Sequence, residues 1–227
     1  MDSALLGRLD KIIDDSAYVR HSFTETLVSG SVSRDQLRSW AIQKYHQTFL
    51  QNCGFSAIHA RAMHHEDVRQ WEMEQLIAEE TDIRDGSDSH YNLMKRFAIA
   101  MGADEDLDGV GPAPEVLEFI DYLVGTCLDE HFVYGLLAFY VNERQTPAAA
   151  QRMYDYLTKE MGVSRKDAEW FLVHGEVDVY HAREARVLIE KYADDAPGFE
   201  TRAEEIVRDG CAHWRRLQDF YFSKISA

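Results

Sequence analysis

Three side chains able to bind a metal stand at His174, Asp178 and His181. Positions i, i+4 and i+7 share one face of an α-helix, so this spacing predicts a single column of donors beneath Phe171. Two carboxylates extend apolar stripes elsewhere. Glu80 continues Met73, Leu76 and Ile77, and Glu143 continues Leu136, Phe139 and Tyr140. Glu79, turned by about 100° from Glu80, is assigned to solvent. Buried carboxylates are costly unless paired or metal-bound, and three of them repel one another. A pair of divalent cations resolves the conflict, and mixed carboxylate and imidazole donors suit non-heme iron or manganese. His90 follows Glu80 by ten residues, past a break at Asp85-Gly86-Ser87. A chain reversal there returns it to the same centre. The expected metal ligands are therefore Glu80, His90, Glu143, His174, Asp178 and His181.

A lone histidine on an apolar face is more often core than ligand; the column together with the stripe carboxylates is what points to metal. The other histidines (21, 46, 59, 64, 65, 131 and 213) are read as packing or surface, His46 beside Tyr45 being the exception to watch.

The elements that must carry these residues are helices. Apolar spacing predicts a first helical segment over 3–28. Ser33 with Gln36 forms a capping-box signature opening a long aromatic helix to about Met63. Further helices are predicted over 66–84, from Ser89 to Met101, over 114–146, from Pro147 to about Gly162, from Ser164 to Tyr192 with a bend near Gly175, and over 200–222. No segment alternates as a strand does between hairpin turns. The expectation is an all-α bundle of about seven or eight helices in one domain over 1–227. A ferritin-like bundle needs Glu-x-x-His on two helices. This chain offers Asp178-x-x-His181 once, which excludes that architecture.

With 45% apolar and 28% charged residues, the 227-residue chain can bury a core. Its net charge of −16 argues against nucleic acid and anionic membranes as partners. No apolar run reaches the roughly 20 residues of a membrane span, and the amino terminus lacks a signal-peptide pattern, so a cytoplasmic location is expected. Cys53, Cys127 and Cys211 are dispersed and odd in number, suggesting neither disulfides nor a thiolate site.

The segments LIAEE (76–80), SHY (89–91), FYVNE (139–143) and HGEVDVYH (174–181) resemble those of the heme-oxygenase-like di-iron oxidases, within the TenA/thiaminase-II/PqqC-like group. The resemblance spans nearly the whole chain. It implies the heme-oxygenase-like fold without heme, two Fe2+ ions held by the six residues above, O2 as cosubstrate, a small-molecule substrate and a homodimer. Members of the family decarboxylate fatty acids, cleave amino-acid side chains, N-oxygenate amines, or make para-aminobenzoate at their own expense. The N-oxygenases add a Glu ligand from the preceding long helix. Residues 35–65 contain no Glu, which favours oxidation at C–H or C–C bonds. The self-sacrificing synthase uses a Lys and a Tyr near the second Glu; here Asn142 precedes Glu143, and Met153 stands where that Lys is expected.

Tyr45 and Tyr140 remain candidates for redox roles. Trp40, Tyr45, Phe49 and Tyr140 are expected to line the cavity, and Lys44, Arg61 or Arg144 to meet a substrate carboxylate. The alternatives are N-oxygenation of an amine and a metal-free hydrolase with Cys127 as nucleophile.

Overall fold

Ser33 starts one of the two longest helices as its capping signature predicts. Its hydroxyl accepts from Gln36 N at 3.3 Å, and the Gln36 side chain accepts from Ser33 N at 2.7 Å. The computed structural model describes residues 3–226. Its helices are α1 (Ser3–Asp15), α2 (Ser22–Leu27), α3 (Arg34–Arg61), α4 (Glu66–Glu80), α5 (His90–Ala100), α6 (Pro114–Asp129), α7 (Phe132–Lys159), α8 (Glu169–Glu176), α9 (Asp178–Tyr192) and α10 (Phe199–Ile225), with 3-10 turns at Tyr18–Arg20 and Ala193–Asp195. No strand occurs among the described residues. Among the described residues no helix is long and apolar enough to cross a membrane.

The all-helical, single-domain expectation holds, while several helices are bounded differently: the first segment, predicted over 3–28, divides into α1, a 3-10 turn and α2. The helix predicted over 114–146 divides at Glu130-His131, and α7 then runs straight through Pro147. Proline is tolerated there because packing on both sides holds the helix, at the loss of one donor to the carbonyl four residues back. That carbonyl belongs to Glu143. The helix predicted from Ser164 to Tyr192 is interrupted at Val177, two residues after Gly175. The helix predicted to Arg84 stops at Glu80, and Thr81 is extended.

Helices α3 and α7, each 28 residues long, form the central pair. α3 packs on α4, α5 and α6, and α7 on α6, α8, α9 and α10. Their mutual approach depends on two glycines. A Cβ on Gly54 would lie 2.6 Å from Phe139 Cε2, and one on Gly135 would lie 2.7 Å from Ile58 Cγ1. Phe139 cannot swing away cheaply, since its ring stacks on Phe55 at 4.0 Å and is fully buried. Gly54→Ala is therefore expected to destabilise the protein by about 1–3 kcal/mol in urea unfolding, although alanine is the better helix former. Phe139 lies one helical turn before Glu143, so this crossing also sets the depth at which Glu143 enters the core.

Candidate metal centre

Six buried donors gather at the middle of the bundle in two sets of three. Glu79, His90 and His174 form one set, and Glu143, Asp178 and His181 form the other. Within each set the donor atoms lie within 4.8 Å of one another. Five of the six residues expected from sequence are brought together. The sixth, Glu80, is not: it is exposed, and Glu79 occupies its place.

The physical reason lies in the composition of α4. Its buried face is Val68, Glu72, Gln75 and Glu79, spaced by four, three and four residues. Of the apolar stripe used to place Glu80, Met73 is 46% exposed, and Leu76 and Ile77 are only partly buried. A helix that delivers carboxylates to a charged centre has polar residues inside, so hydrophobic phase misreads it. The signal that could have found Glu79 is the polar repeat itself, Glu72-Gln75-Glu79.

In the first set, His90 begins α5, its Nδ1 2.8 Å from Glu79 Oε1 and its Nε2 2.9 Å from the Asp85 carbonyl. Burial alone would raise the Glu79 carboxyl, but His90, His174 and His181 together bring it below its ordinary value. Burial likewise opposes charge on His90, and Glu79 outweighs it. The two behave as an ion pair. His174 Nδ1 lies 2.8 Å from the Trp170 carbonyl, and the Trp170 indole stacks on its ring at 4.0 Å. Burial first, then the neighbouring His90, push His174 down to about 3. It is a neutral imidazole with Nδ1 donating to a backbone carbonyl, which leaves Nε2 as a lone-pair donor.

In the second set, Asp178 and His181 open α9 just past the Val177 interruption, and Glu143 comes from α7. His181 Nδ1 stands 3.9 Å from Glu143 Oε2, too far for a hydrogen bond. Burial, then Glu79, drive Glu143 up to about 8. Burial, then Glu143 and Glu79, raise Asp178 well above the usual carboxylate range. Burial also lowers His181. Glu79 Oε2 and Glu143 Oε2 are buried without hydrogen-bond partners. Repelling carboxylates, the neutral imidazoles of His174 and His181 and orphaned oxygens are what a site looks like when its charge is balanced by cations, and these residues fit bound metal.

Glu72 is a residue that sequence reasoning missed. It is fully buried, neither carboxylate oxygen has a hydrogen-bond partner, and burial followed by Glu143 raises it well above the carboxylate range.

Other expectations resolve differently. Tyr140 lies beside the centre: its hydroxyl donates to Asp10 Oδ1 at 2.5 Å and accepts from Arg144 Nη1 at 3.2 Å. Tyr45 is not brought there. It stacks on Phe49, which is 45% exposed, and its charged neighbour is Asp108. His46 shares that location. Trp40 belongs to an aromatic core with Phe23, Phe97 and Phe171. Arg61 donates to the Leu128 carbonyl at the surface.

Lys44, by contrast, is buried beside the centre. Its Nζ donates to Gln47 Oε1 at 2.8 Å and sits 4.8 Å over Trp170, the ring stacked on His174. Burial pulls Lys44 down to about 7 against the attraction of Asp178 and Glu79. Cys127 is buried, and burial followed by Glu72 raises its thiol far above the range of a nucleophile, so the hydrolase alternative has no reactive group there.

The sequence pattern of the family described as iron-containing redox enzymes matches residues 38–215. A 4-aminobenzoate synthase of Nitrosomonas europaea is 30% identical over 225 residues, covering 94% of this chain and 89% of the relative. The 4-aminobenzoate synthase of Chlamydia trachomatis is 30% identical over 206 residues, with 89% and 87% covered. Among solved structures, a TenA homologue from Pseudomonas syringae pv. tomato superposes with a TM-score of 0.82 at 14% identity, over 97% of this chain and 93% of that one. A CADD-like protein of unknown function from Nostoc punctiforme gives 0.77 at 16% identity, over 99% and 98%. At such identities the structural likeness carries the fold alone.

Proposed function

This chain belongs to the iron-containing redox enzyme family, and we propose that it holds two iron ions and uses dioxygen to oxidise C–H or C–C bonds of a small carboxylate. The product class suggested by its relatives is 4-aminobenzoate. One observation carries the reading: two neighbouring sets of three buried carboxylate and imidazole donors, with a carboxylate oxygen in each left without a hydrogen-bond partner. One set is Glu79, His90 and His174; the other is Glu143, Asp178 and His181. Oxidation at nitrogen is not favoured, because Arg34–Arg61 contains no glutamate and its one aspartate, Asp35, is exposed in the first turn.

When bound, iron supplies the electrons that activate dioxygen. The chain's own groups do the rest. The Trp170 carbonyl fixes the ring of His174 by its Nδ1 proton. The proton shared by His90 Nδ1 and Glu79 Oε1 would have to leave for these two atoms to hold a metal. Lys44 holds a proton at Nζ within the field of Asp178 and Glu79, sheltered by Trp170 and Trp214. Tyr140 Oη keeps its proton on Asp10, with Arg144 donating to the same oxygen.

Anaerobic titration with ferrous iron tests the reading. Two ions per chain are expected, followed by dioxygen consumption dependent on a small carboxylate. Failure to bind iron tightly, or an oxygen uptake indifferent to any carboxylate, would overturn it.

A further inference from the structure

A cavity of about 400 Å3 opens between α7 and α9, and Glu143 of the candidate centre lines it. That volume lies within the range of about 300–1,000 Å3 common to small-molecule sites. Its walls are apolar at Pro147, Ala148, Val179 and Ala182, with the Tyr140 ring beside them. Pro147 contributes by its position as well as its ring, since it breaks the α7 hydrogen bond to the Glu143 carbonyl.

Three arginines surround this opening, and two are already engaged. Arg144 clamps Asp14 with Nε–Oδ1 and Nη2–Oδ2 both at 2.8 Å, and Arg186 pairs with Asp10. Asp14, which lines the cavity, and Asp10 are thereby neutralised. Arg183 lines the same cavity, is exposed, and has no hydrogen-bond or ion-pair partner among the described residues. One free guanidinium at the rim, an apolar slot, and the Glu143 side chain of the candidate centre at the inner end give the site two unlike ends. It suits a flat molecule with a single negative charge at one end. Among the described residues lining the slot, a doubly charged phosphate would meet only this one unpaired cation.

We propose that this cavity is the binding subsite for a small aromatic carboxylate, with the carboxylate on Arg183 and the opposite end of the ring directed toward Glu143. This rests on the reading of the centre as oxidative, and adds where its carboxylate partner is held. Arg183 here is a specificity-determining residue; the chemistry stays with the six buried donors.

Equilibrium dialysis on the full chain tests the proposal, both metal-free and loaded anaerobically with ferrous iron. The probes are 4-aminobenzoate, benzoate, aniline and inorganic phosphate. The two carboxylates are expected to bind, and aniline and phosphate at least about tenfold more weakly. Arg183→Met should weaken the carboxylates at least about tenfold and leave aniline unchanged, and Arg183→Glu should abolish their binding. Ala148→Trp, at an exposed wall position, should exclude every probe. Iron uptake by each variant reports that it is folded and that the centre is intact. Carboxylate binding that is absent, or indifferent to Arg183→Met and Ala148→Trp, overturns the subsite while leaving the metal reading standing. Carboxylate binding without iron uptake does the reverse.

Discussion

Glu79→Ala is expected to strip iron from one half of the centre, while Glu80→Ala leaves iron content unchanged. The two residues are adjacent, yet Glu79 is 5% exposed with one oxygen on His90 and the other unpartnered, and Glu80 faces water. Removing a residue that merely orients a ligand commonly costs about 10–100-fold in metal affinity, so loss of the donor itself should exceed about 100-fold. Truncating Glu79 also leaves His90 without the carboxylate that sustains its charge, which costs more than the missing contact alone. Competition with a chelator, read as iron per chain, should show near-complete loss at one site in Glu79→Ala. Equal losses in the two variants would mean that α4 is turned the other way in the working protein.

That contrast also shows where sequence reasoning reached and where it stopped. The column His174, Asp178, His181 was legible because its spacing needs only a helix, and the interruption at Val177 leaves Tyr180 N and His181 N still bonded to the Val177 carbonyl. Glu143 was legible because α7 is apolar on the face that carries it, through Leu136, Phe139 and Tyr140. His90 followed from the turn at Gly86, whose φ of 102° is natural only to glycine and lets the chain reverse into α5. On α4 the same rule failed, since Glu72, Gln75 and Glu79 face inward for electrostatic reasons that hydrophobic periodicity does not contain. Tyr45 illustrates a second limit. Its place in an aromatic helix suggested a cavity wall, but α3 is buried on several faces, and the tyrosine falls on the one shared with Phe49 and Tyr91. The buried Lys44 was noticed as a cation near the centre, but its shelter between Trp170 and Trp214 comes from α8 and α10, distant in sequence. The run of α7 through Pro147 is the same kind of case: local propensity argues for a break, and tertiary packing overrides it.

Iron affinity should rise with pH through the range up to about 8 in which Glu143 loses its proton, because the metal-free protein carries protons that the loaded protein must release. Burial and Glu79 hold Glu143 near 8, and burial with Glu143 and Glu79 holds Asp178 in the same direction, so around neutral pH this carboxylate pair retains protons. Each proton displaced gives about a tenfold gain in affinity per pH unit. The same groups govern folding without metal. A carboxyl whose folded value is raised binds more protons folded than unfolded, so its stabilising contribution is complete below its ordinary value and is lost as pH climbs through the raised one. For Glu143 that window runs from about 4.5 to about 8, at about 1.4 kcal/mol per unit of separation.

Other groups act in the opposite sense. His174, at about 3, makes stability rise with pH up to its ordinary value of 6.5, and Lys44 does so from about 7 upward. Comparison with Glu143→Gln at each pH removes those shared contributions. The metal-free wild type should lose stability relative to Glu143→Gln steadily from about pH 5 to about pH 8 in chemical denaturation. Over the same range its ferrous affinity should climb. An iron affinity that stays flat between about pH 6 and pH 8 would show that Glu143 and Asp178 are already ionised in the empty protein. The charge conflict that points to a metal pair would then be resolved by some other partner.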